Sequence, residues 1–187
     1  MADVFGGLAG SGGDDGPAAA LTDDEVALLD AVLETGALLG AELDPRYRVL
    51  ALTFEPTEER YAWGPADDRR IQVLASPVSV ILGSLRREGE DDSKELLTFT
   101  EEQLVDVVAA LDGPEVHGPL FEGMEPRPGE WGPRFSLEGR SSAPDGITRR
   151  LRLEVAVADL TFGLFARFDH VEVRNPAGED LRLPSGG

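Results

Sequence analysis

The chain has 187 residues, no cysteine, 36 Asp and Glu against 17 Lys and Arg, and a formal charge of −19. A chain of this length forms one compact domain or two small ones sharing a core, and without cysteine it has no disulfide framework, thiol nucleophile or cysteine-ligated metal. The excess of acid argues against DNA, RNA and anionic membrane surfaces, because neutralising phosphate requires a positive face.

Residues 1–20 are rich in Gly, Ala and Asp and contain no Lys or Arg, which reads as a disordered tail. The glycines from Gly6 to Gly13 have the spacing of a loose phosphate loop, but no strand precedes them and no Gly-Lys-Ser/Thr follows. No apolar stretch has the length of a signal peptide or a membrane span, so a cytoplasmic location is expected.

Leu21-Thr22-Asp23-Asp24-Glu25-Val26 is a helix start, with Thr22 as N-cap and Glu25 as its capping-box partner. The helix is expected to run to about Leu39, ending near Gly36 or Gly40. Arg46 to Phe54 alternates as a strand. Arg69 to Ala75 and Val78 to Arg86 read as two strands broken near Ser76-Pro77, because proline donates nothing to a ladder. Glu95 to Phe99 is a short closing strand.

A second helix is expected from Thr100 to Asp112, with Gly113 as C-cap, followed by a proline-rich excursion from Pro114 to Pro133. Phe135 to Arg140, Arg149 to Val157 and Leu160 to Phe168 read as strands, with Leu151, Leu153 and Val155 on one face and Arg150, Arg152 and Glu154 on the other. A last hairpin, Val171 to Leu183, turns at Asn175-Pro176-Ala177-Gly178.

These elements read as one module written twice, over 21–99 and 100–187. Arg69-Arg70-Ile71-Gln72-Val73 aligns without a gap on Arg149-Arg150-Leu151-Arg152-Leu153, and the same offset pairs Gly83 with Gly163. The expected fold is therefore α+β. It comprises two tandem α-β-β-β-β repeats, each laying one amphipathic helix on an antiparallel sheet, related by a pseudo-two-fold.

No catalytic, metal or cofactor signature is present. His117 and His170 lack ligand spacing, the acidic clusters lack the grammar of a calcium loop, and no nucleophile elbow, Walker loop or His-Glu-x-x-His occurs. Trp63 and Trp131 each sit in Trp-Gly-Pro, where a rigid aromatic serves as an interface anchor or as a lid over a small core. The pairs Arg69-Arg70 and Arg149-Arg150 offer guanidinium forks for anions, or offset local acidity by pairing across strands.

The expectation is a non-enzymatic, acidic, cytoplasmic binding module of adaptor, chaperone-like or inhibitor (immunity) type. It engages a basic or mixed-charge protein through Trp63, Trp131 and the arginine pairs, with no cofactor and no metal. The alternative is an enzyme or small-ligand binder with a cleft between the two repeats. The end of the chain, Leu181 to Gly187, resembles that of ubiquitin-like modifiers and sulfur-carrier proteins, which implies activation of the Gly187 carboxylate by adenylation. That resemblance covers these last residues only and departs at Pro184-Ser185.

Overall fold

In the computed structural model, which describes residues 21–57, 68–89, 93–121, 124–127, 129–132, 135–139 and 148–181, Thr22 opens the first helix as its sequence implies. Its hydroxyl accepts from the Glu25 amide at 3.3 Å, and the Glu25 carboxylate accepts from the Thr22 amide at 2.7 Å, satisfying two donors that a helix start leaves unpaired. Helix α1 spans Asp23–Leu33 and buries Val26, Leu29, Val32 and Leu33.

The chain then departs from the expected extension to Leu39. Gly36 follows the last helical turn, and Ala37–Asp44 forms strand β1, paired antiparallel with β2, Val49–Glu55. The turn between them is set by Asp44, whose Oδ1 accepts from the amides of Arg46 at 2.8 Å and Tyr47 at 3.0 Å. A short acidic side chain closing on the backbone two and three residues ahead is a strong local turn signal.

Strand β3 runs unbroken from Ile71 to Glu88, although Ser76-Pro77 lies within it as a cis peptide. The interruption expected there is bridged from the other side, where β7, Leu160–Arg174, pairs with β3 from Gln72↔Arg174 to Arg87↔Leu160 with one register shift between Val78 and Val80. Both strands change apolar phase at this place. Core positions on β3 run 71, 73, 75 and resume at 78, while on β7 they run 162, 164, 166, 168 and resume at 171, so one face stays buried along both strands.

The remaining elements are β4 (Lys94–Leu97), a 3₁₀ turn (Glu101–Gln103), α2 (Leu104–Ala110), β5 (Phe135–Glu138) and β6 (Arg149–Val157). Gly113, with φ of +71°, follows α2 in the conformation that suits a C-terminal glycine. The seven strands of the described residues belong to one antiparallel sheet in the order β1-β2-β3-β7-β6, with β4 and β5 also paired to β3.

The protein is thus α+β, with a single sheet to which both halves of the sequence contribute. The expected pair of four-stranded sheets related by a two-fold is not what forms. Arg69–Ala75 continues into Val78–Arg86 as one strand, whereas the aligned Arg149–Val157 turns back upon Leu160 at Ala158-Asp159. The repeated pattern is one of alternation and capping, which unrelated strands and helices share.

The first face of the sheet carries the main core, in which both helices bury their stripes alongside Leu52, Phe54, Ile81, Phe162 and Phe168. At ~25 cal/mol per Å² of buried apolar surface, this continuous layer is the main stabilising term. Face alternation puts Ala51, Leu74 and Phe165 on the second face, where Trp131 packs against Gly163.

Candidate binding surfaces

Charge is segregated along the sequence, and the fold turns that into a segregation in space. Residues 21–45 and 95–126, which hold both helices, contain no Lys or Arg at all. Exposed Asp23, Asp24 and Glu34 on and beside α1, and Glu102, Asp106 and Asp112 around α2, therefore form a predominantly acidic helix side, which Arg149 of β6 reaches at Asp23.

The arginines lie on the sheet and the segments that cross its second face. Strand register puts Arg150 directly opposite Arg167, with Arg152 two positions on along the same face. Loop carboxylates offset them: Glu125 pairs with Arg167, and Glu130 with Arg152 at 2.6 Å. Such exposed pairs contribute little individually, about 0–1 kcal/mol each. They link a strap, residues 124–127 and 129–132, to β6 and β7.

The residues expected to bind a partner are dispersed. Trp63 and Gly187 lie outside the described residues. Trp131 is 1 % exposed, seated on Gly163 with the Arg152 guanidinium 5.0 Å from its ring centroid. It acts as a lid on the second face and offers no exposed anchor in this conformation.

The two arginine pairs are not brought together either. Arg70 and Arg69 precede Ile71 at the Arg174 end of β7, whereas Arg149 pairs with Phe168, six positions along. Arg70 is held in a fork by Asp68 at 2.6 and 2.9 Å, which pushes the Asp68 carboxyl below its ordinary range. Arg149 donates to the Leu21 carbonyl at 2.6 Å and lies 3.4 Å from Asp23, tying β6 to the start of α1. Arg150 is exposed.

Sequence reasoning overlooked Asp30. This α1 carboxylate is 7 % exposed, and its Oδ1 accepts from the amides of Leu120 at 2.7 Å and Phe121 at 3.0 Å. The Leu120 carbonyl in turn accepts from the Arg152 amide at 2.7 Å, so one buried acid docks the 113–121 segment between helix and edge strand. Its signal was present: an acid set among Leu29, Val32 and Leu33 on an apolar stripe.

The carboxyls of Glu25, Asp68, Glu102 and Glu130 are each held below the ordinary range by hydrogen bonds that favour the anion. Among the described residues no cluster of His, Asp and Glu is arranged to hold a metal ion, and no helix is long and apolar enough to cross a membrane.

Among the described residues, two clefts bear on the site. One, of about 340 Å³, lies between α2 and the second face of β1–β3, where Gly40, Ala51, Thr53 and Gln72 meet Val105 and Ala109. The other, of about 560 Å³, is bounded by Met124, Glu125, Arg127, Glu130 and Arg152. No protein-family model, curated protein or solved structure matches the chain.

Proposed function

We propose that the protein is a non-enzymatic, cytoplasmic binding module, of adaptor, chaperone-like or inhibitor type, whose helix side engages a basic protein partner. The observation that carries this reading is the absence of any Lys or Arg from residues 21–45 and 95–126 in a chain of charge −19. A predominantly acidic surface steers a partner of the opposite sign and rejects its own kind, favouring on-rate and specificity over raw affinity.

The test compares equal charge changes at different places. A triple variant on the helix side, Glu101→Gln, Glu102→Gln and Asp106→Asn, is set against one on the strands, Glu88→Gln, Glu95→Gln and Glu138→Gln. Binding of a fluorescein-labelled oligo-arginine peptide is measured at low and moderate salt. The helix-side variant is expected to weaken binding about tenfold and the strand variant far less. Equal losses from the two would sink the reading.

A second reading, a small-ligand binder, is favoured by the 340 Å³ cleft, whose floor comes from the first half of the chain and whose wall comes from α2 in the second. It predicts saturable binding of a small molecule that is lost when the cleft is filled.

A further inference from the structure

The outer edge of β6 is open over its second half. Arg152 donates its amide outward, to the Leu120 carbonyl at 2.7 Å, and not to β7. Along an antiparallel strand the amide and carbonyl of every second residue point the same way, so those of Glu154 and Ala156 also point away from β7. β6 has β7 as its one strand neighbour, both residues are exposed, and among the described residues their outward backbone groups have no backbone partner.

Such edges are commonly blunted by proline, lysine, a bulge or a covering segment. At the far side of the sheet β1 is covered in this way, with Leu38 donating to the Pro114 carbonyl and Val116 to that of Gly36. On β6 the cover stops at Arg152. From Leu153 to Val157 the strand holds no proline, lysine or register shift.

Charge and register narrow the occupant. β6 carries Arg149, Arg150 and Arg152 against Glu154 alone, the largest positive sum of any strand in a chain of charge −19. Two copies that meet along β6 therefore approach by their least acidic strands, with their acidic helix sides apart. Leu120 occupies the edge at Arg152 and the chain turns back at Ala158, whose φ is +52°. These limits select an antiparallel register centred on Val155. In it Glu154 faces Ala156 of the second copy, each facing pair exchanges both N–H···O bonds, and no like charges stand directly opposite. Glu154 keeps its own Arg86 at 3.0 Å.

We propose that two copies of this chain associate through β6, antiparallel about Val155, so that their sheets become one. This contact is separate from the basic partner and answers salt in the opposite sense. Screening weakens attraction between unlike charges but relieves repulsion between two chains of charge −19.

Sedimentation equilibrium over a range of concentrations, at low and moderate salt, tests it. The unmodified chain is expected to form a reversible dimer that tightens as salt rises. Ala156→Pro removes an amide that β7 does not use and deletes one bond from each facing pair, so it is expected to weaken the dimer about tenfold. Ala156→Glu sets like charges opposite each other twice and is expected to weaken it too, whereas Ala156→Arg tightens it. Ala110→Glu and Ala110→Arg make the same changes in net charge on α2 and are expected to leave it unchanged.

Thermal unfolding of the dilute chain checks the fold, and if Ala156→Pro disturbs it the Glu and Arg pair decides. A chain that stays monomeric at every concentration and salt would overturn the inference. So would a dimer indifferent to all three changes at Ala156, because the copies would then meet elsewhere. Association that fades as salt rises would assign the contact to the acidic side of one copy against the arginines of another, against the inference.

Discussion

Gly83 and Gly163 stand on adjacent strands one position out of register, Gly83 opposite Leu164 and Ser84 opposite Gly163, and each receives an aromatic ring on a different face of the sheet. Phe135 covers Gly83 on the core side, in edge-to-face contact with Phe99 at 5.1 Å, and Trp131 covers Gly163 on the other. Trp131 and Phe135 thus place their rings on opposite faces of the sheet, and the two glycines leave the room that each ring fills.

A methyl group added at Gly83 would lie 2.1 Å from the Phe135 ring, and one at Gly163 would lie 3.1 Å from Trp131. Gly83→Ala must displace a buried ring, whereas Gly163→Ala needs a shift of a few tenths of an ångström. Expected losses in denaturant unfolding are about 2–3 kcal/mol for Gly83→Ala and about 1 kcal/mol for Gly163→Ala. The reverse order would contradict the packing described.

Trp131 reports on the second face directly. In a Trp63→Phe background its emission is expected to be blue-shifted and nearly indifferent to iodide, because the ring is buried beneath the strap. Trp131→Ala is expected to cost about 3–5 kcal/mol, the range for deleting a buried aromatic. Red-shifted, freely quenched emission would show that the lid is open in solution.

Asp30 makes a separable prediction. Asp30→Ala leaves the Leu120 and Phe121 amides without this acceptor, at an expected cost of about 2–3 kcal/mol, whereas Asp30→Asn keeps a neutral oxygen in place and loses less. Hydrogen exchange at those two amides should rise in Asp30→Ala ahead of global unfolding. Protection equal to that of the unmodified chain would remove the docking role.

Glu130 links acid sensitivity to the strap. The Arg127 amide, at 2.9 Å, and then the Arg152 guanidinium, at 2.6 Å, hold its carboxyl below the ordinary value of 4.5. A lowered folded-state pKa contributes stability that is fully present above the unfolded value and is lost as pH falls through the folded one. The gap in thermal midpoint between the unmodified chain and Glu130→Gln should therefore be open at neutral pH and narrow as pH falls below 4.5, through the lowered folded-state value. A gap that persists at lower pH would assign the effect to packing.

The helix starts, the Asn175 turn and the inward face of β6 were legible in the sequence because each depends on residues only a few positions apart. Thr22 with Glu25 is a local bond, and so is Asn175 Oδ1 accepting from the amides of Ala177 and Glu179, both at 2.9 Å. Net charge and its absence of cations over 21–45 and 95–126 were legible in the same way.

Pairing was not. Alternation tells a strand which side is apolar, but not which neighbour it will take, and the match between Arg69–Val73 and Arg149–Leu153 carried no information about whether each would run on or turn back. That β3 continues past Pro77 depends on β7 bonding to it on both sides of the interruption, from Gln72 to Arg87. That Asp30 is a buried clamp depends on a loop some ninety residues away. Residue order determined the local bonds and the charge. Only the tertiary structure decided which strands met and which ring covered which glycine, because those contacts exist only once distant segments have closed on one sheet.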